Sequence, residues 1–278
     1  MRRCVAVEAH DLPFYVRYRR TLAGDEGMYQ LKGEDLIPGL TMTEIEKSRL
    51  PLPARESLDD EERAIFDELL ARSKRFFESV PANAGQEYRL TPYFQGLLQS
   101  PRVAKLWSSF GDYYQPAEKR GSFTNRDREL AELTVGMLLK ALMGTRFLAP
   151  IHVADAVGVG LAATDIQAIY EERFVALSPA DRQLAEYVRA TVQGQLTPEL
   201  FDALAERMGR KTAIEYTSYI CYRVGGMLGV RAMWRIQGRE TSSTRGEKVL
   251  QAYLDGTAEA HPHDRASSWV TPVQQQSK

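Results

Sequence analysis

Between residues 57 and 254, apolar residues return every three or four positions in most segments, and no stretch alternates cleanly with period two. The first pattern marks helices with one buried stripe, and the second would mark half-buried strands, so the chain reads as all-α. Ser57-Leu58-Asp59-Asp60-Glu61-Glu62 opens a helix with acids in its first turn, followed by Ile65, Leu69, Phe76 and Phe77, with an end expected before Pro81. Two short helices are predicted over 90–98 and 102–114, divided at Ser100-Pro101, where proline suits a first helical position. Thr124-Asn125-Arg126-Asp127 caps a helix bearing Leu130, Leu133, Val135, Met137, Leu138 and Leu142. The next helix is expected to start near Phe147, to carry His152, Ala156 and Val157, and to stop in Gly158-Val159-Gly160; Thr164-Asp165-Ile166 opens another.

The remainder repeats this grammar. Ser178-Pro179-Ala180-Asp181 caps a helix to about 192, and Thr197-Pro198-Glu199 caps one to about 208. A long apolar helix then runs over about 212–234 and contains Gly225, Gly226 and Gly229, small residues that permit a close helix–helix or subunit contact. The hexapeptide Asp127-Arg128-Glu129-Leu130-Ala131-Glu132 is echoed by Asp181-Arg182-Gln183-Leu184-Ala185-Glu186, an echo that two related hairpins would leave but that six positions do not prove. Glycine and proline punctuate residues 1–55, which read as an irregular arm; 56–237 form the helical domain; 238–278 form a polar tail with one helical stretch over 247–254.

Charge narrows the function classes. The 36 basic and 37 acidic residues nearly cancel, leaving none of the basic excess that nucleic-acid binding requires. No apolar run reaches membrane-spanning length, and the N-terminus meets Glu8 and His10 too soon for a signal peptide, so a cytoplasmic protein without a membrane partner is expected. Cys4 and Cys221, far apart, exclude a disulfide framework and a cysteine metal site, and Cys221 inside the long helix reads as a buried inert thiol.

His152 is the one histidine of the helical core; His10, His261 and His263 fall in the arm and the tail. A lone helical histidine is ordinarily a satisfied structural residue. Position 156 is Ala, so no paired-histidine metal site forms, and no nucleophile elbow or phosphate loop is present. Neither a metal nor a cofactor is expected. Glu129 and Glu132 lie three apart on one helix, hence near one face, with Arg126 or Arg128 as ion-pair partners. Tyr219, Tyr222 and Arg223 recur at three- and four-residue spacing, so that Tyr219 and Arg223 share a side as core or pocket wall.

The ordered set Asp127-Arg128-Glu129-Leu130, His152-Val153-Ala154-Asp155-Ala156 and Gly160-Leu161-Ala162-Ala163-Thr164-Asp165-Ile166, led in by Ser100-Pro101, resembles the carboxymuconolactone decarboxylase and alkylhydroperoxidase D-like family. The resemblance is centred on 101–170. It implies an orthogonal helical bundle assembled as a trimer-based homo-oligomer, with His152 as proton carrier and Glu129 or Glu132 as the upstream glutamate that orients it. Peroxidase members carry a Cys-x-x-Cys pair ahead of this histidine; Thr145 and Leu148 stand there instead, so thiol-based peroxide reduction has no basis at this site. Leu148 also replaces the glutamate that many non-peroxidase members carry four residues before the histidine. What the resemblance leaves is acid/base decarboxylation, isomerisation or lactone opening on a small organic acid or lactone. Arg146 or Arg223 would hold an anionic group, and Thr145, Tyr219 and Tyr222 would complete the substrate contacts. Two rival readings are a non-catalytic ligand-binding scaffold and a residual peroxidase working through Cys221.

Overall fold

The computed structural model describes residues 39–79, 83, 85–114, 123–140, 147–239 and 244–258. Among these residues the chain is helical with no strand, and one isolated antiparallel bridge joins Leu40 to Leu90. The elements are α1 (Met42–Glu46), α2 (Asp60–Ser79), α3 (Pro92–Leu97), α4 (Pro101–Tyr113), α5 (Asn125–Leu138), α6 (Pro150–Gly158), α7 (Ala163–Tyr170), α8 (Pro179–Val192), α9 (Pro198–Met208), α10 (Arg210–Ile236) and α11 (Thr244–Leu254).

Local chemistry sets most boundaries. Asp59 accepts from the Glu62 amide at 2.9 Å and starts α2 one residue later. Thr124 and Asp127 close a reciprocal capping box on α5, with Thr124 N–H donating to Asp127 Oδ2 at 2.8 Å and Asp127 N–H to Thr124 Oγ1 at 3.1 Å. Ser178 and Thr197 cap α8 and α9, each followed by proline at the first helical position.

Several boundaries differ from the sequence expectation, among them the last helix, which begins at Thr244 and not at 247. Leu90 pairs with Leu40, so α3 begins only at Pro92. Residues 147–149 are not helical: Ala149 precedes Pro150 and is extended (φ −72°, ψ 126°), because a following proline ring disfavours the α region. The last long helix begins two residues early, at Arg210, after Gly209 (φ 84°). The segment expected to be irregular up to residue 55 also contains the five-residue α1, closed by a Thr41–Glu44 capping box and anchored by buried Ile45.

Two apolar clusters organise the chain. A smaller one gathers Leu40, Ile45, Leu58, Phe66, Leu69, Leu90, Leu98 and Ala104, and Tyr88 packs against both it and the larger cluster. The larger one surrounds α5, whose residues from Asp127 to Met137 are all buried, the charged ones included. A helix enclosed on every side is the central rod of a bundle. The packing partners of α5 are α8, α7, α10 and α6. The two helices that carry the echoed hexapeptides pack together, and Arg126, just before the first hexapeptide, pairs with Asp181, the first residue of the second.

The segment before α6 runs between two glycines. A Cβ on Gly136 of α5 would stand 2.2 Å from the Phe147 carbonyl oxygen, and one on Gly246 of α11 would stand 2.0 Å from that of Leu148. Phe147 N–H also donates to the Gly136 carbonyl at 3.1 Å. Backbone contact this close fixes where α6, and with it His152, leaves the core.

The polar tail thus supplies a structural helix. Its Val249, Leu250 and Ala252 are buried against the main core, and α11 packs on α6 and α7. Burying Val249 and Leu250 contributes about 1.5–3 kcal/mol each, enough to hold a helix too short to persist alone. The glycines of α10 resolve as contacts within the chain. A Cβ on Gly225 would lie 3.2 Å from the Trp107 ring, and one on Gly229 would lie 3.1 Å from Tyr93. Gly226 has its nearest neighbours at 3.9 Å.

Candidate active site

The buried face shared by α5, α6 and α10 carries the charged residues singled out in the sequence. Glu129 and Glu132, one turn apart on α5, both face inward, with exposures of 0% and 2%. His152 on α6 stands between them. Its Nδ1 lies 2.9 Å from Glu129 Oε2, and its Nε2 lies 3.3 Å from Glu132 Oε2. Each carboxylate is held in turn. Arg128 Nη2 contacts Glu129 Oε1 at 2.7 Å, Arg223 Nη2 contacts Glu132 Oε2 at 2.6 Å, and the Tyr219 hydroxyl donates to Glu132 Oε1. The i, i+4 pair Tyr219 and Arg223 therefore clamps one carboxylate from one side of α10.

A carboxylate only accepts hydrogen bonds, so Nδ1–H donates to Glu129 and the imidazole is oriented. Nε2 faces two groups of opposite character, Glu132 Oε2 and, at 3.4 Å, Arg223 Nη2. With a proton Nε2 donates to the carboxylate; without one it accepts from the guanidinium. One geometry accommodates both forms of the ring, which is what a proton carrier needs.

Burial is the largest influence on Glu132 and pushes its carboxyl up. The charges of Arg223 and His152 and the Tyr219 hydroxyl together more than reverse it, leaving the group below its ordinary 4.5. Burial, reinforced by the Glu132 charge, drives the Tyr219 phenol well above its ordinary 10. Burial is the largest influence on Arg223 and opposes its cation, but Glu132 together with the Tyr219, Tyr222 and Tyr93 phenols more than reverses it, so the guanidinium is held more firmly protonated.

Tyr222 does not reach the carboxylates. Its ring lies 5.7 Å from the Arg223 guanidinium carbon and stacks on Phe110 at 5.3 Å, forming an aromatic wall beside the cation. With its side chain 21% exposed, Arg223 is the most accessible member of the cluster, and its Nε is buried with no hydrogen-bond partner among the described residues. Thr145 and Arg146 lie outside the described residues. Leu148, at one lost cysteine position, is a core residue with 1% exposure.

Of the two arginines expected as ion-pair partners of the glutamates, Arg128 takes that place at Glu129, while Arg126, at the start of α5 on the side facing α8, pairs with Asp181. One expectation is corrected. Cys221 is exposed, not buried. At about 100° per residue it sits about 200° around α10 from both Tyr219 and Arg223, facing away from the cluster.

One member escaped the sequence reading. Asp155, one turn beyond His152 and 2% exposed, brings a third buried carboxylate; the i, i+3 spacing from the histidine was the available signal. Glu129, His152 and Asp155 each offer an atom within 4.8 Å of the others, a donor set of the kind that holds a divalent cation. The neighbouring oxygens, however, already face two guanidiniums. Arg128 holds Glu129 and Arg223 holds Glu132, so two of the three carboxylates already meet a fixed cation of the chain. Comparison of the chain with protein-family models, curated proteins and solved structures finds no match.

Proposed function

We propose that this chain is a cofactor-independent acid/base enzyme that decarboxylates, isomerises or opens a small organic acid or lactone, on an oligomeric bundle of the alkylhydroperoxidase D-like type. The observation that carries the proposal is His152, fixed at Nδ1 by Glu129 and presenting Nε2 between Glu132 and Arg223. Nε2 is the atom that takes a proton from the substrate or returns it. Glu129 holds the ring, and Glu132, kept ionised, orients the proton on Nε2. The accessible edge of Arg223, backed by the Tyr222 ring, suits a planar carboxylate. Burial of the cluster strengthens each of these interactions relative to water.

A second reading is a non-catalytic ligand-binding scaffold. It is favoured by the fact that both ring nitrogens already have partners inside the chain. The third reading, a peroxidase using Cys221, is disfavoured by the outward position of that thiol.

The test is His152→Gln, which approximates the size and hydrogen bonding of imidazole but does not titrate near neutral pH. Turnover of a carboxylic acid or lactone found by screening should fall by about 10²- to 10⁴-fold, with folding and ligand affinity nearly unchanged. A loss of roughly 0.5–3 kcal/mol in stability with ligand affinity intact and turnover unaltered would instead assign His152 to the framework.

A further inference from the structure

The outer surface of α4 has three sides of different character. Toward α2 it is ionic: Arg102 contacts Asp59, Glu61 and Glu62 at 2.7, 2.8 and 2.8 Å, Lys105 contacts Glu68 at 2.8 Å, and Asp112 pairs with Arg72. Toward α10 it is packed: Trp107 covers Gly225, and Gly111 lies under the Tyr222 hydroxyl. The third side carries Val103, Leu106, Phe110 and Tyr113, exposed at 53%, 75%, 50% and 48%. Their i, i+3, i+7 and i+10 spacing places them in one stripe.

A matching line runs along α10, where Ile214 (54% exposed) and Leu228 (38%) flank the exposed Cys221 at seven-residue intervals. The two stripes border one seam, closed by Phe110 stacked on Tyr222 and by the Tyr113 hydroxyl donating to Glu215 at 2.6 Å. Of the nine large apolar side chains exposed among the described residues, six lie on this face. Chance scatter of surface hydrophobics does not concentrate them so.

We infer that this α4–α10 face is an interface with a second copy of the same chain, formed about a two-fold axis. It offers on the order of several hundred Å² of apolar surface, near the ~800 Å² that each partner contributes to a standard interface. Its six side chains carry no charge, and the cations beside it, Arg102 and Lys105, are already ion-paired, so an anionic membrane or a charged peptide finds little to grip. A net charge of −1 puts little repulsion between two copies. Two helices meeting two helices give the four-helix contact in which such stripes interdigitate, and a two-fold makes the face its own complement.

Light scattering at micromolar concentration should give an even-numbered oligomer. Leu106→Glu, at the most exposed position of the stripe, should halve its mass with helix content unchanged, whereas Val175→Glu, equally exposed but off the face, should leave it assembled. With Cys4→Ser, a short bismaleimide should join Cys221 to Cys221 between chains, and Leu106→Glu should abolish that product. A monomer, an odd-numbered oligomer, or a mass and cross-link that survive Leu106→Glu would overturn the inference. So would a monomer that floats with zwitterionic vesicles, which would assign the face to a membrane surface.

Discussion

Glu132 is the residue on which the buried cluster turns, since it meets a guanidinium, an imidazole and a phenol at once. Its carboxyl is lowered on folding, so its contribution to stability is present above the ordinary 4.5 and is lost as pH falls through the lower folded value. Urea unfolding from pH 7 down to pH 3 should therefore show stability declining below about 4.5. In Glu132→Gln that acid-side decline should be shallower, because the titrating group is gone. The same variant should lose about 3 kcal/mol at pH 7, since Arg223 is left without its charged partner. Equal slopes in the two proteins would mean that Glu132 is not ionised in the native cluster.

At the scale of elements, the position of α6 depends on two backbone contacts more than on its own sequence. Ala149 gives α6 no side-chain cap, and Phe147 and Leu148 before it are gripped by Gly136 and Gly246. Alanine at either position would push against a carbonyl at 2.2 or 2.0 Å, an atom that cannot swing aside. Gly136→Ala and Gly246→Ala should each cost about 1–3 kcal/mol or more in chemical denaturation, and both should disturb His152. Gly225→Ala meets only the edge of Trp107 at 3.2 Å and should cost less. The helices that sequence patterns placed well (α2, α5, α8 and α9) have their own caps and stripes. Those placed less well (α3, α6 and α10) have starts set by a bridge, a proline or a glycine.

Across the whole molecule, the described residues contain no helix long and apolar enough to cross a membrane. A chain-distant element, α11, closes the core over α6. A chain ending before Thr244 should lose roughly 10 °C in melting temperature, because Val249 and Leu250 leave the core and the Leu148 segment loses one wall. An unchanged melting curve would show that α11 is an accessory to a self-sufficient bundle.

The amino-acid sequence by itself determined the all-helical character, the caps of the strongest helices, and the histidine and two glutamates that form the centre of the candidate site. These follow from local periodicity and from side chains bonding their own backbone within one turn. It did not reveal which charges neutralise one another. Tyr219 and Glu132 are 87 residues apart, and Arg223 and His152 are 71 apart, and nothing local encodes such pairings. Arg126 reads as a neighbour of the glutamates, yet its position at the start of α5 turns it toward Asp181, while Asp155 joins them unannounced. Cys221 looks buried in an apolar helix and is exposed, because burial depends on which side of α10 finds a neighbour. Only tertiary packing decides this, for a helix fixes the angle between its side chains but not what stands opposite each of them.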